Sequence, residues 1–346
     1  MARRVLWGSL SLAPLTILLH YLADLSETTE FVLAAVSLIP LAWLIGEATE
    51  HAAHHTGPGI GGFLNATFGN APELIIALFA VAEAKFEVVR GSLSGSVVGN
   101  LLLVLGFSLL FGGRGRIDRG SSFTSLGLVA LAVVLFLVPA VPSWDDDPER
   151  DLIVALSIPV SIALLVVYVI VTWISLRRHR SMHVSDEAPD MQGWSLPAAL
   201  GVLAVATVVT AVIAEILVSS IEVFAHKAHL SEFFVAAVIV AIVGNAAEHG
   251  GAVVVAYRGN IKLAAEIALA SSAQVAVFLI PAVALLALLI DPLALAFRPV
   301  ELAAIGGSVL FTAALLWRGW SSRGRGIALI AAYGVVVVSF LLAGDR

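Results

Sequence analysis

The residues Gly61-Gly62-Phe63-Leu64-Asn65-Ala66-Thr67-Phe68-Gly69-Asn70-Ala71-Pro72-Glu73 decide the fold, because the last five recur as Gly244-Asn245-Ala246-Ala247-Glu248, with His249 following. The shared core is Gly-Asn-Ala-x-Glu, once in each half of the chain. Each copy sits in an apolar run, 62–83 in one half and 232–257 in the other, long enough to cross about 30 Å of hydrocarbon as a helix. Glycine and proline inside such a helix weaken its hydrogen-bond ladder, and asparagine adds a carbonyl oxygen beside the backbone carbonyls so released. The glutamate follows about one turn later, on the same face as the asparagine.

The rest of the chain has the same character. Of its 346 residues 60% are hydrophobic and 13% charged, and a mean hydropathy of +1.00 lies outside the range of soluble domains. The apolar residues fall in runs of roughly 18–25 separated by short polar breaks, whereas barrel strands would alternate every second residue. The chain therefore reads as an all-α membrane protein with eleven transmembrane helices. No stretch is left for a large extramembrane catalytic or receptor domain. The absence of cysteine excludes disulfides and thiolate metal sites, and three methionines leave little for soft metals. A net charge of -6 gives no support for nucleic acid as a partner. Arg3-Arg4, followed by the apolar run from Val5 to Leu22 without an obvious cleavage site, reads as a retained signal anchor.

With the N-terminus inside, 13 of the 19 lysines and arginines fall in inside loops and termini and 6 in outside ones, none within a span. This positive-inside asymmetry predicts a cytoplasmic N-terminus and an outside C-terminus. The two motif spans are an odd number of crossings apart, so they run in opposite directions. The chain divides into an N-terminal helix and loop (1–30), a first five-helix repeat (31–176), a cytoplasmic linker (177–194) and a second, inverted five-helix repeat (195–346). Inverted repeats place a shared site near the membrane midplane, where interrupted helices meet.

Glu47, Glu50, Glu73, Glu215 and Glu248 fall within apolar runs, with no lysine or arginine expected at their depth. A carboxylate there must be protonated, hydrated or neutralised by a bound cation, and each of those states suits cation or proton traffic. Two Asn-Glu pairs, Asn70 with Glu73 and Asn245 with Glu248, make an oxygen-only cage with the backbone around Gly69 and Gly244. Such a cage suits Ca2+, whose charge two carboxylates match. A small-residue helix follows each motif, from Gly91 through Ser96 to Asn100 and from Ala268 through Ser272 to Gln274. Ser96, Asn100, Ser272 and Gln274 are further candidate metal ligands, with interhelical hydrogen bonding and close packing as their competing roles. Glu47, Glu50 and Glu215 are candidates for a proton path or an approach to the site, and His249 for proton transfer or for packing. His51, His54 and His55 read as a solvated face, as do the acidic runs Asp145-Asp146-Asp147 and Asp186-Glu187 with Asp190.

Taken together, several stretches resemble the Ca2+/H+ antiporter (cation/proton exchanger) family of the calcium/cation antiporter superfamily. They are Gly46-Glu47-Ala48-Thr49-Glu50, the segment 61–75, Gly91-Ser92 to Asn100 and on to Gly106, and Gly244 to His249 with Ser271-Ser272-Ala273-Gln274. The resemblance covers nearly the whole chain beyond the first span. Pro72 and Ala270 depart from the family's pattern, at positions that are not candidate ligands. The resemblance implies Ca2+ export driven by inward proton flow, with Glu73 and Glu248 binding Ca2+ or protons in turn and the second and seventh spans, or helices around them, sliding to alternate access. Such a protein is an ion antiporter and not an enzyme, with Ca2+ as transported substrate, H+ as coupling ion, the lipid bilayer around it and no obligate protein partner. Short loops favour a prokaryotic inner membrane. A Na+/Ca2+ or Mn2+/H+ exchanger of the same fold is the alternative, since these ligands suit Ca2+ and Mn2+ alike. A passive cation channel would also use acidic residues in a pore. An intramembrane metalloprotease would need His-Glu-x-x-His, which the sequence lacks.

Overall fold

Hydropathy marks where a chain leaves hydrocarbon, not where a helix ends, and the two part company at the second span. In the computed structural model, which describes residues 2–145, 149–182 and 193–345, α1 (Ala2–Ser9) and α2 (Leu12–Leu22) lead into α3 (Glu27–Phe68), 42 residues without interruption. The polar stretch expected to separate spans at 31–52 and 62–83 is helical. Thr56 turns its hydroxyl back onto the carbonyl of Ala52, and His55 Nε2 donates to the Trp194 carbonyl at 2.8 Å, so polar side chains find partners without ending the helix. The break comes instead at Gly69-Asn70, after which α4 (Ala71–Ala82) continues.

In the first half α5 (Phe86–Val98) passes through a π-helical segment, Gly99–Val104, into α6 (Leu105–Gly112), followed by α7 (Arg119–Ala140) and α8 (Arg150–Met182). The second half holds α9 (Leu196–Ala228), then α10 (Glu232–Phe234) joined through π-helical Val235–Val240 to α11 (Ala241–Gly244), and α12 (Ala246–Tyr257). It ends with α13 (Ile261–Gln274) joined through π-helical Val275–Leu279 to α14 (Ile280–Ala287), then α15 (Pro299–Leu316) and α16 (Arg323–Ala343). Among the described residues nine helices are long and apolar enough to cross a membrane, and a tenth span arises if Glu232–Gly244 and Glu248–Tyr257, bent by 57°, count as one. The start of the expected linker, 177–182, continues α8, while its residues 183–192, including the Asp186-Glu187 and Asp190 run, lie outside the described residues, as do Asp146 and Asp147.

The long helices α3 and α9 pack along each other in opposite directions. Phe31, near the start of α3, stacks on Phe224 near the end of α9 with ring centroids 4.1 Å apart, and His51 stacks on Trp194 just before α9 begins. His51, expected on a solvated face, is thus held against an indole. Helix α5 lies at the centre, with every residue from Val88 to Val98 buried. Gly95 allows this: a Cβ there would come within 2.0 Å of the Ala237 carbonyl oxygen, so α5 and the 232–244 helix touch backbone to backbone.

At the end of the bundle where α5 and α15 begin, four charged side chains form a network, three of them buried and Glu87 half-buried. Arg90 donates to Glu87 and lies 3.9 Å from Glu301, while Arg298 lies 3.5 Å from Glu301 and 3.8 Å from Glu87. Arg298 also donates to the Gly344 carbonyl at 2.7 Å and sits 3.9 Å above the Phe233 ring. The sequence expectation puts both arginines in outside loops. They are buried because each helix supplies a carboxylate three residues from its own arginine, so a guanidinium leaves water already paired.

Candidate cation site

The two motifs break their helices in the same way. Asn70 has φ -101° and ψ 18°, Asn245 has φ -90° and ψ 6°, and both lie in the sparsely populated region between helix and strand. Each asparagine ends one helix and starts the next: Leu74 N–H donates to the Asn70 carbonyl at 3.0 Å and His249 N–H to the Asn245 carbonyl at 2.9 Å. Glu73 and Glu248 therefore occupy the first turns of α4 and α12, where the helix dipole favours negative charge. The π-helical segments Gly99–Val104 and Val275–Leu279 follow their motif glutamates at the same interval to within one residue. Such segments widen a helix by one residue and recur at functional sites.

Contacts between the halves close these elements into a ring. The Glu73 side chain is buried against Gly244, where a Cβ would stand 3.4 Å from Glu73 Cγ and 3.8 Å from its Oε1. Glu73 and Glu248 lie close enough to act on each other electrostatically. Ser271 donates to Glu248 Oε2, and since a hydroxyl has one proton it accepts from Asn100 Nδ2, 3.0 Å away. Asn245 Nδ2 donates to the Ala241 carbonyl at 2.9 Å and to Ser96 Oγ at 2.8 Å. A carbonyl only accepts, so the orientation of that amide is settled. Asn70 Nδ2 lies 3.5 Å from Gln274 Oε1.

The amide donors of Asn100 and Asn245 face protein, and their acceptors do not. Asn100 Oδ1, Asn245 Oδ1 and Glu73 Oε2 are buried, and no hydrogen-bond donor among the described residues reaches them. Leaving a buried acceptor unpaired costs about 1–3 kcal/mol. Among the described residues neither motif glutamate has a lysine or arginine beside it, and no group of three histidines and acids is gathered anywhere. A hard cation taken up here would be held by two carboxylates completed by amide and hydroxyl oxygens.

The structure thus brings together Glu73, Glu248, Asn70, Asn245, Ser96, Asn100 and Gln274, with Gly69 at the first break and Gly244 against Glu73. Ser272 stands one position off. Its hydroxyl bonds the Ala268 and Val97 carbonyls, and Ser271 is the serine that reaches the carboxylate. Sequence reasoning missed Ser271, although the interval from Asn245 to Ser271 equals that from Asn70 to Ser96. His249 Nε2 is buried without a hydrogen-bond partner, Glu47 is half-buried with His51 Nε2 3.6 Å away, and Glu50 and Glu215 lie on exposed faces of α3 and α9.

Comparison with known proteins agrees with this architecture. The family model described as sodium/calcium exchanger protein matches residues 28–177 and 198–342, so it covers one motif in each segment. The Ca(2+)/H(+) antiporter ChaA of Bacillus subtilis is 38% identical over 323 residues, 90% of this chain and 92% of that protein. The Ca(2+)/H(+) antiporter of Synechocystis sp. is 35% identical over 356 residues, covering 94% of each. Among solved structures, selenium-substituted Ca2+/H+ antiporter protein YfkE superposes with a TM-score of 0.83 at 34% identity, covering 98% of this chain and 99% of that one.

Proposed function

We infer that this chain, which belongs to the sodium/calcium exchanger protein family, is a secondary transporter that exchanges Ca2+ for H+ across a membrane. The observation that carries the inference is a pair of enclosed carboxylates with no lysine or arginine beside them among the described residues, next to the Asn100 and Asn245 amide oxygens, which no described donor reaches. Ca2+ is the substrate of this site. Its binding would use Glu73 and Glu248 together with the carbonyl oxygens of Asn100 and Asn245, while Ser271 holds the second carboxylate in place. A proton on either carboxylate occupies lone pairs that Ca2+ needs and removes charge that Ca2+ would neutralise, so loading one ion expels the other. Exchange needs no chemical intermediate beyond this competition and access from one side at a time.

The crossings are assigned as eleven: the nine separate helices, the bent pair that carries Asn245, and a short crossing made by the end of α3 with α4. Two inverted halves then follow the N-terminal helix. The matched breaks at Asn70 and Asn245 and the matched π-helical segments support this arrangement. We assign the N-terminus to the cytoplasm and the C-terminus to the outside from the distribution of basic residues, the membrane to a bacterial plasma membrane, and the direction to Ca2+ export. Glu47, Glu50, Glu215 and His249 are kept as proton-path or approach residues.

The test is uptake of radiolabelled Ca2+ into proteoliposomes with an acidic interior. Uptake is expected to require the pH gradient and to collapse when a protonophore is added. Uptake that follows an imposed Na+ gradient and ignores pH would make the protein a Na+/Ca2+ exchanger, and equilibration without any gradient would make it a channel.

A further inference from the structure

The end of the bundle opposite the buried ion network carries an arrangement that the cation site does not use. The loops 113–118 and 317–322 are zipped together: Ile117 N–H donates to the Gly319 carbonyl at 2.9 Å, Ser321 N–H to the Gly115 carbonyl at 2.8 Å, and Arg116 and Trp320 form an isolated antiparallel bridge. The zip sets guanidinium groups over indole rings. Arg114 and Arg116 lie 5.9 and 5.7 Å from the centre of Trp320, and Arg119 lies 5.5 Å from Trp317. Arg318, Arg323 and Arg325 flank the same corner.

This charge has little to balance it. Asp118 is the sole carboxylate in the two loops and the turns that follow them, and it already accepts from Ser121 N–H and pairs with Lys262 at 3.5 Å. Arg119 opens α7, Arg323 opens α16 and Lys262 is the second residue of α13, and none of these helices has an acid in its first turn. Cations at helix starts oppose the helix dipole, so the fold gathers positive charge where its own electrostatics resist it. An anion from outside the chain would relieve both strains. Trp317 and Trp320 stay 62% and 44% exposed, and the helices leaving the corner show apolar side chains outward, Ile327 on α16 and Leu310 on α15 among them. Exposed indoles mark the level of lipid headgroups, and guanidinium forks match phosphate oxygens in pairs.

We propose that this corner binds the headgroup of an anionic phospholipid, with the phosphate among Arg116, Arg119 and Arg323, the indoles at headgroup level and the acyl chains along α15 and α16. The exposed apolar flanks favour a lipid over a free anion. The assignment does not depend on which ions the protein transports.

The experiment follows thermal unfolding of the purified protein in neutral detergent as phosphatidylglycerol, phosphatidylcholine of the same chains, or inorganic phosphate is added. Phosphatidylglycerol is expected to raise Tm by several degrees and the other two to leave it in place. The shift should vanish in R116Q/R119Q/R323Q and persist in K227Q, which removes a charge at the other end. An equal shift with phosphatidylcholine, a shift reproduced by inorganic phosphate, or a shift retained by the triple variant would overturn the proposal. Should the triple variant fail to fold, tryptophan quenching in the unaltered protein decides. Brominated phosphatidylglycerol should quench more than brominated phosphatidylcholine, with the excess lost in W317F/W320F, and equal quenching by the two lipids would refute the site.

Discussion

Two pairs of glutamates, Glu73 with Glu248 and Glu301 with Glu87, each join a buried carboxylate to a half-buried one, and the pairs differ in what stands beside them. Glu73 and Glu248 lie in the first turns of α4 and α12, and Glu87 and Glu301 in the first turns of α5 and α15, so all four gain from a helix dipole. Glu301 is the more deeply enclosed, at 0% exposure against 5% for Glu73. Yet Glu87 and Glu301 have Arg90 and Arg298 within 4 Å, whereas no described lysine or arginine stands beside Glu73 or Glu248. Burial of an acid therefore does not identify a transport site. What separates the two regions is the tethered cation: one has it, and on the proposed function the other takes its cation from solution.

The largest expected effects set the regions against each other. Glu73→Gln and Glu248→Gln should each abolish Ca2+ uptake while leaving thermal stability unchanged or raised, because the carboxylate removed has no described lysine or arginine beside it. Glu301→Gln should do the reverse. It leaves Arg90 and Arg298 short of a counter-charge and is expected to cost about 3–5 kcal/mol of stability, read by denaturant unfolding, with uptake per folded molecule retained. Replacing the whole network, as in E87M/R90M/R298M/E301M, should cost far less than breaking one member of it. The comparison can also be broken on purpose: Asn100→Lys would give the central carboxylates a tethered ammonium, and a folded protein with no Ca2+ uptake is the expected outcome.

Ser271→Ala comes next. It removes the donor to Glu248 and the acceptor for Asn100 while leaving both carboxylates, and a loss of about 1.4 kcal/mol, or tenfold weaker Ca2+ binding by calorimetry, is in scale with one charge-assisted hydrogen bond. Lys262→Gln should matter least, at about 1 kcal/mol or below, since its pair with Asp118 is exposed. The Ser121 N–H, and after it the Lys262 charge, hold the Asp118 carboxyl below its usual range. With the folded value depressed, its contribution is present above the ordinary carboxylate range and is lost as pH falls through the lowered value, so the effect of Lys262→Gln on Tm should shrink in acid.

Which residues come together at the candidate site was largely legible in the sequence because the signals are local. The repeated Gly-Asn-Ala-x-Glu core names both helix breaks and both carboxylates, and the small-residue helices name Ser96 and Asn100. What escaped depends on which neighbour a side chain meets. Ser271 and Ser272 are alike in sequence, and only the rotation of α13 turns the first toward Glu248 and the second toward backbone carbonyls. The ion network escaped for a related reason. Arg90 and Arg298 look like boundary residues until α5 and α15 start side by side, which brings Glu87 and Glu301 onto both. The continuity of α3 past Thr56 was hidden because a polar run that leaves hydrocarbon can stay helical when its side chains find partners such as the Trp194 carbonyl.

The central claim, that Glu73 and Glu248 form one exchangeable site for Ca2+ or protons, is tested most directly by calorimetric titration of Ca2+ into the purified protein in buffers of different ionisation enthalpy. The account predicts Ca2+ binding accompanied by proton release in the unaltered protein, and loss of both in Glu73→Gln and in Glu248→Gln. Ca2+ binding that releases no protons, or that survives unchanged in either variant, would contradict it.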